Sequence, residues 1–321
     1  ELKQLFEHAT TFGSLIQVPD GLAEKLPALR RLSELKEQDM LVAKGLKSLE
    51  PFVRQAELLA AQHDAVVANP PYMGNKGFNY PLKNYIDHHY ADSKNNLYAC
   101  FIQRVTFHAK KTGRSAMVTL QNWLFSSSCE RMRLKLLSTT SIESLLHIGY
   151  NSFPSMNSKV VQAATFSFLN CPINGLKGVF IDLNSAPQSA DKHDIFVQKI
   201  PSNRYEVAAT AFNEVTGHPI AYRLSEPLLK AFRDFPLLGS IALPKQGIKT
   251  GDNDRFLRLW PEVSICKAMM ADCQHTQSKW HPCTKGGDYR KRYGNNEYLL
   301  NWEEDGREIR EFTDKSGRLL S

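Results

Sequence analysis

Between residues 21 and about 63, apolar side chains recur every three or four positions: Leu29, Leu32 and Leu35, then Leu46, Leu49, Phe52 and Val53. That spacing predicts helix. The pattern then changes. Residues 64–68 are a short Val-rich run that stops at Asn69-Pro70-Pro71. Proline donates no hydrogen bond to a sheet and restricts the residue before it. The run therefore predicts a buried strand ending abruptly in a stiff loop. Helical periodicity returns over residues 96–111, with Leu97, Phe101, Ile102 and Val105 on one face, and Gly113 is expected to stop it. Residues 115–120 predict the next buried strand, 129–137 an amphipathic helix, and 145–148 and 160–169 two further strands. This order points to an α/β chain, a doubly wound sheet closing on a hairpin-like pair.

The regularity then weakens. Residues 171–221 hold several Pro, Asn and Ser residues and are expected to be an irregular insertion. A helix over 227–235 precedes a stretch rich in Gly, Asn, Trp and basic side chains. A domain boundary is expected near Tyr222, dividing the chain into 1–222 and 223–321. No internal repeat is visible.

Composition narrows the class. With 42% hydrophobic and 23% charged residues, the 321-residue chain has the profile of a soluble globular protein. No run of eighteen apolar residues suggests a membrane span. A net charge of +7 suits a polyanionic partner. The six cysteines are dispersed, which points to reduced thiols in a cytoplasm.

The chemistry concentrates at Asn69-Pro70-Pro71-Tyr72. Ligands of open α/β sheets bind beyond the carboxyl ends of the strands. There the Asn69 side-chain oxygen and the Pro70 carbonyl can both accept from one amino group. An exocyclic amine is a poor nucleophile, because its lone pair is delocalised into the ring. Two acceptors pulling on its hydrogens favour a more tetrahedral nitrogen. Tyr72 supplies a flat face for a base. The bland alternative is a loop that uses Pro-Pro for stiffness and Tyr for packing.

These residues resemble those of the gamma-type N6-adenine DNA methyltransferases. Residues 96–102, Asn-Leu-Tyr-Ala-Cys-Phe-Ile, are similar to the helix after the catalytic loop, which in that family borders the cofactor. Residues 113–124 are similar to the next strand and its exit loop. Phe153-Pro154 followed by residues 160–168 resembles a late strand ending in an aromatic clamp on a flipped base. The similarity is closest to the PglX-type methyltransferases of BREX phage-defence systems. It is carried by residues 69–77, by Lys249-Thr250-Gly251-Asp252-Asn253-Asp254-Arg255-Phe256, and by Lys285-Gly286-Gly287, Arg292-Tyr293-Gly294-Asn295 and Asn301-Trp302.

The resemblance implies the C-terminal part of a Rossmann-like class I methyltransferase sheet, followed by the start of a mixed α/β target recognition domain. It implies S-adenosylmethionine as cofactor, double-stranded DNA and other defence-system proteins as partners, and a bacterial cytoplasmic setting. Asn69, Pro70, Pro71 and Tyr72 are the expected catalytic residues, and Asn69, Leu97 and Tyr98 the expected cofactor contacts. Phe166 and Phe168 share one strand face, which fits either a core or a base-stacking role for each. Phe168, at the strand end, is the expected base clamp beside Tyr72. Lys76, Lys249, Arg255, Lys285, Arg290 and Arg292 are the expected DNA contacts. Lys76 and the 285–292 cluster also fit solvated loops. Cys273, His275, His281 and Cys283 lack the close paired spacing of a zinc site, so no metal is expected.

Two departures stand out. Asn96 occupies a position where many relatives carry Asp. No glycine-rich cofactor loop precedes Asn69; residues 12–16 resemble the segment that follows it, which places the loop upstream of Glu1. The chain alone is therefore expected to bind cofactor poorly and to be inactive. A non-catalytic DNA- or partner-binding component is the alternative. A protein-glutamine methyltransferase also uses Asn-Pro-Pro-Tyr, but the basic segment after Tyr222 argues against it.

Overall fold

Helical periodicity before Asn69 resolves into separate pieces. Short helices cover Asp20–Ala23 and Leu26–Ser33, and a long helix, α1, covers Met40–Ala60. The structure is a computed structural model. It describes residues 1–34, 40–153, 161–187, 190–198, 201–243, 247–269, 278–314, 317 and 319–320, so Leu35 lies outside the described residues. Leu22, Leu26 and Val53 bury their side chains together and close a small helical cluster.

Strand β1 (His63–Ala68) leads through the Asn69–Tyr72 loop to helices α2 (Tyr80–His89) and α3 (Leu97–His108). Strand β2 (Ala109–Leu120) follows α3 directly, so the helix stops before Gly113. Gly113 has a different task. The pairing of β1 with β2 jumps from His63–Ala109 to Ala65–Arg114. A Cβ on Gly113 would lie 2.8 Å from the His63 carbonyl oxygen and 3.0 Å from that of Asp64. Glycine is required where two backbones approach this closely.

Helix α4 (Glu130–Thr139) precedes the antiparallel pair β3 (Ser141–Gly149) and β4 (Ala163–Leu169). The stretch 171–221 is not an excursion from the sheet. It supplies β5 (Lys177–Asp182), parallel to β3, and β6 (Arg204–Ala208), antiparallel to β5. The apolar run in β5, Val179–Phe180–Ile181, is too short to stand out from its polar flanks. The six strands lie in the order β1-β2-β4-β3-β5-β6. Strands β1, β2, β3 and β5 point the same way, and β4 runs against them. This is the α/β architecture the strand and helix pattern predicts. Beneath it Tyr98, Ile102, Trp123, Met132, Phe166 and Phe180 form one core.

The chain divides into two compact units, Glu1–Pro236 and Leu237–Ser321. The break falls beyond the expected position near Tyr222 for a packing reason. Tyr222 is buried in the first unit, stacked on Phe180 at 5.1 Å between ring centroids. Helix α5 (Glu226–Asp234) also belongs to the first unit. The second unit holds an antiparallel sheet, β7 (Leu257–Leu259), β9 (Tyr298–Asn301) and β8 (Trp280–Cys283), around Phe256, Leu300 and Ile309.

One buried cation ties the N-terminal segment to the sheet. Arg104, on α3, donates to the carbonyls of Ser14 at 2.9 Å, Ile16, and Leu59 at 2.9 Å. Replacing it with apolar Met leaves these carbonyls without that donor, at about 1–3 kcal/mol for each one that stays dry. Arg104→Met is expected to lower the unfolding free energy by about 3–5 kcal/mol in urea titration. A loss below about 1 kcal/mol contradicts this account of Arg104.

Candidate active site

Asn69 leaves β1 at the edge where the carboxyl ends of β1, β2, β3 and β5 gather. Pro70 is buried, Asn69 is exposed and Tyr72 is half-buried. With two amide donors missing, the loop is held from the far side. The Asn75 amide donates to the Asn95 carbonyl at 3.0 Å, and the Leu97 amide to the Met73 carbonyl at 2.9 Å. The loop itself is closed by the Tyr72 hydroxyl, which donates to Asn69 Oδ1 at 3.3 Å. Burial raises the Tyr72 phenol above its ordinary pKa, so it remains a donor. Tyr98 meets the Tyr72 ring edge-on at 6.4 Å. On another side stands Phe153, its ring 6.2 Å from Tyr72 and inclined by 51°.

Phe166 and Phe168 are not at this site. Both are buried, 4.7 Å apart and packed on Trp123. The reason is strand direction. Because β4 is antiparallel to β2, its first residue, Ala163, lies opposite Leu120 at the site edge, whereas Phe168 lies opposite Ser115. The strand end nearer the site in sequence terms is the farther one in space. Phe153 takes the place beside Tyr72. Its signal was in the sequence, at the start of the Phe153-Pro154 segment, but only the direction of β4 distinguishes it.

Leu97 and Tyr98 also sit differently from expectation. Their side chains are buried in the core, and the Leu97 amide is engaged by the loop. The Tyr98 hydroxyl has no hydrogen-bond partner among the described residues. Of the three expected cofactor contacts, Asn69 alone presents a polar side chain to solvent.

Lys76 is exposed in the short turn Asn75–Gly77. In the second unit Lys249 and Lys285 line one cavity of about 540 Å³ with Thr250, Gly251, Asn253 and Thr284. The Lys285 ammonium sits 4.7 Å over the Tyr298 ring. Arg255 is committed elsewhere, 5.1 Å over both Phe256 and Phe312 and 4.0 Å from Glu308. Arg290 and Arg292 are exposed, and the Arg290 stem packs over Gly294. Cys273 and His275 lie outside the described residues. His281 Nε2 bonds the Ser278 carbonyl at 2.9 Å. Among the described residues no helix is long and apolar enough to cross a membrane, and no group of three His, Cys, Asp or Glu could hold a metal.

Residues 21–153 match the family model described as Eco57I restriction-modification methylase. The adenine-specific methyltransferase BrxX of Escherichia coli O9:H4 (strain HS) is 38% identical over 95% of this chain. The adenine-specific methyltransferase PglX of Lacticaseibacillus casei (strain Zhang) is 30% identical over 97% of it. The chain is similar to these adenine-specific methyltransferases along nearly its whole length. It spans 25% of the length of the first relative and 26% of the second. Among solved structures, a modification subunit of a putative type I restriction enzyme from Vibrio vulnificus YJ016 aligns over 60% of this chain and 49% of its own. That alignment has 14% identity and a TM-score of 0.37.

The same edge carries a polar network the sequence did not reveal. His147, buried at the end of β3, bonds the Tyr222 hydroxyl at 2.8 Å through Nδ1 and Gln121 Oε1 through Nε2. Gln121 in turn donates to Gln162. As placed, Gln121 Oε1 only accepts, which puts the His147 proton on Nε2 and leaves Nδ1 to accept from Tyr222. Arg223 pairs with buried Asp182 at 2.7 Å and flanks the imidazole. Burial, and secondarily Arg223, hold His147 down to about 4. An unfolded chain protonates this group near 6.5. The unfolded state therefore binds more protons between these values, and stability falls as the pH drops from about 6.5 to about 4. The shift corresponds to at most about 3 kcal/mol. In urea titrations, the advantage of wild type over His147→Gln is expected to shrink across that window. An advantage independent of pH contradicts a neutral buried His147.

Proposed function

We propose that this chain forms the catalytic half of a site-specific DNA adenine-N6 methyltransferase of bacterial phage defence. The observation that carries the reading is the Asn69–Tyr72 pair at the carboxyl end of β1 with Phe153 facing it. The similarity to BrxX and PglX runs through the same residues and supports it.

On this reading the enzyme acts in the cytoplasm on double-stranded DNA, together with other defence-system proteins. The target adenine leaves the duplex, because its N6 cannot be reached while stacked. Its ring lies against Tyr72 and Phe153, and stacking of this kind contributes about 1–3 kcal/mol per base. The N6 amine donates to Asn69 Oδ1 and to the Pro70 carbonyl. Asn69 Oδ1 has two lone pairs, so the Tyr72 hydroxyl leaves one free for the substrate. Both acceptors pull electron density toward nitrogen and hold its lone pair in line for attack. S-adenosylmethionine, when bound, supplies an electrophilic methyl group on a sulfonium. The amine becomes acidic on methylation and loses its proton afterwards, so no strong base is needed in the loop. Since Asn69 is the one expected cofactor contact open to solvent, this 321-residue chain on its own binds the cofactor weakly.

DNA is held through phosphate contacts by Lys76 and by the second unit, where Lys249 and Lys285 face one cavity. Arg255, stacked on two rings, supports that unit and does not reach for DNA.

In the full-length protein, Asn69→Ala is expected to reduce adenine methylation at least about 100-fold, the effect of losing a preorganised polar contact at a reacting atom. DNA affinity should stay within about twofold, since phosphate contacts dominate it. Unchanged methylation in that variant rejects the assignment. Lys249→Ala and Lys285→Ala should each weaken DNA binding and lower the salt-dependence slope by about 1. A slope equal to wild type in both removes the cavity from the DNA interface.

A further inference from the structure

Phe153 is placed by residues from the other half of the sheet. The chain leaves β3 through Gly149 at φ 70° and Asn151 at φ 56°. A Cβ on Gly149 would lie 1.9 Å from Asn184 Oδ1, so the Asn184 side chain fills the space that glycine leaves. The same oxygen accepts from the Tyr150 amide at 3.3 Å. Asn184 is fixed in turn. Its amide donates to Asp182 Oδ1 at 2.9 Å, and the Arg223 guanidinium donates to that oxygen at 2.7 Å. The adjacent Leu183 amide donates to the His147 carbonyl at 2.9 Å, which joins the exit of β5 to β3. Ser152 closes the turn, donating to the Gly149 carbonyl and accepting from the Ala163 amide at 2.9 Å. Phe153 is the next residue, with its ring 6.2 Å from Tyr72.

We propose that Asn184, braced by Asp182 and Arg223, is a positioning residue that sets the aromatic wall opposite Tyr72 for the extruded base. Asn184 lies past the end of β5, four strand positions from β1 in the sheet, and acts only through the turn 149–153. The inference rests on the reading of Asn69–Tyr72 and Phe153 as the base-binding site. The geometry favours positioning over general stability, because Asn184 is half-buried and its side chain meets the turn, not the core. Gly149 adopts its positive φ freely, so the turn needs a neighbour to hold it in one conformation, and the Asn184 oxygen supplies that restraint at Gly149 and Tyr150.

The test is a double-mutant cycle in the full-length protein on duplex DNA carrying its methylation motif. Asn184→Ala, Phe153→Leu and the double variant are compared for kcat, KM and DNA affinity. A second duplex with 2-aminopurine at the target position reports the environment of the extruded base. Asn184→Ala is expected to lower kcat at least about tenfold with KM for DNA nearly unchanged, and to alter 2-aminopurine emission in the complex. Adding it to Phe153→Leu should cause little further loss, because residues acting through one contact are not additive. Asn184→Asp keeps an oxygen for the Tyr150 amide and should restore most of kcat, which also decides the matter if Asn184→Ala folds poorly. Losses that multiply in the double variant overturn the proposal. So does an unchanged kcat in Asn184→Ala while Asn69→Ala and Phe153→Leu are inactive, an outcome that leaves the base-binding reading standing. Full activity in both Asn69→Ala and Phe153→Leu overturns that reading and this proposal with it.

Discussion

Loop and helix-end backbone withdrawn from water must find donors for its carbonyls. Two buried guanidinium groups meet that requirement. Arg104 gathers the carbonyls of Ser14, Ile16 and Leu59. Arg133, on α4, donates to Trp123 at 2.8 Å, Ser126 at 2.6 Å, His218 at 2.9 Å and Gly217. Neither has a carboxylate partner among the described residues, and burial lowers the pKa of both. Hydrogen bonds to a charged group contribute about 1.5–3 kcal/mol each. Removing the ion from water costs several kcal/mol. These nearly offset each other. The large cost lies in removing either ion, which leaves carbonyls without a donor: those of the exit loop after β2 for Arg133, and those of Ser14, Ile16 and Leu59 for Arg104.

That constraint explains what the sequence disclosed and what it hid. The helix after the loop and the strand after α3 were legible because each buries one apolar face. Strand β1 was marked by its Val-rich run but is not the buried strand expected: it lies at the sheet edge with Val66 and Ala68 half-buried and Val67 81% exposed. Gly113 was misread because glycine commonly ends helices, and only the backbone of β1 shows that it serves a close approach. Strands β5 and β6 escaped because they contribute few apolar residues and join the sheet through β3, far along the chain. The buried arginines and the His147 network are polar residues whose partners are mostly backbone oxygens or distant side chains. No periodicity records such pairings.

Site residues divide along the same line. Asn69 and Tyr72 are neighbours in sequence, and their hydrogen bond follows from a stiff four-residue loop. The aromatic partner of Tyr72 could not be picked by proximity to a strand end. Phe168 and Phe153 flank opposite ends of the β4 segment, and the choice between them is the choice between a parallel and an antiparallel strand. The antiparallel course of β4 thus relocates the candidate clamp. The turn after β3 shares the edge of the loop after β1 because β3 runs parallel to β1, and β5, parallel to β3, brings Asp182 and Asn184 to that edge too.

The chain carries a net +7, but residues 237–321 hold 14 Lys and Arg against 12 Asp and Glu, a net of +2. Total charge therefore does not mark the second unit as the DNA-facing part. Arrangement is more informative. The acidic residues around helix Glu303–Arg310 are largely spent on neighbours: Glu303 on Lys279, Glu304 on Arg307, Asp305 on Arg310 and Glu308 on Arg255. Lys249, Lys285, Arg290 and Arg292 have no ion-pair partner among the described residues. Phosphate contacts are local and depend on such uncommitted cations, with counterion release making each one count. A unit nearly neutral as a whole can thus present a basic face while keeping its carboxylates out of the way. On the proposed reading, that separation lets the second unit hold phosphates while the first keeps a loop without strong acid or base for a neutral amine.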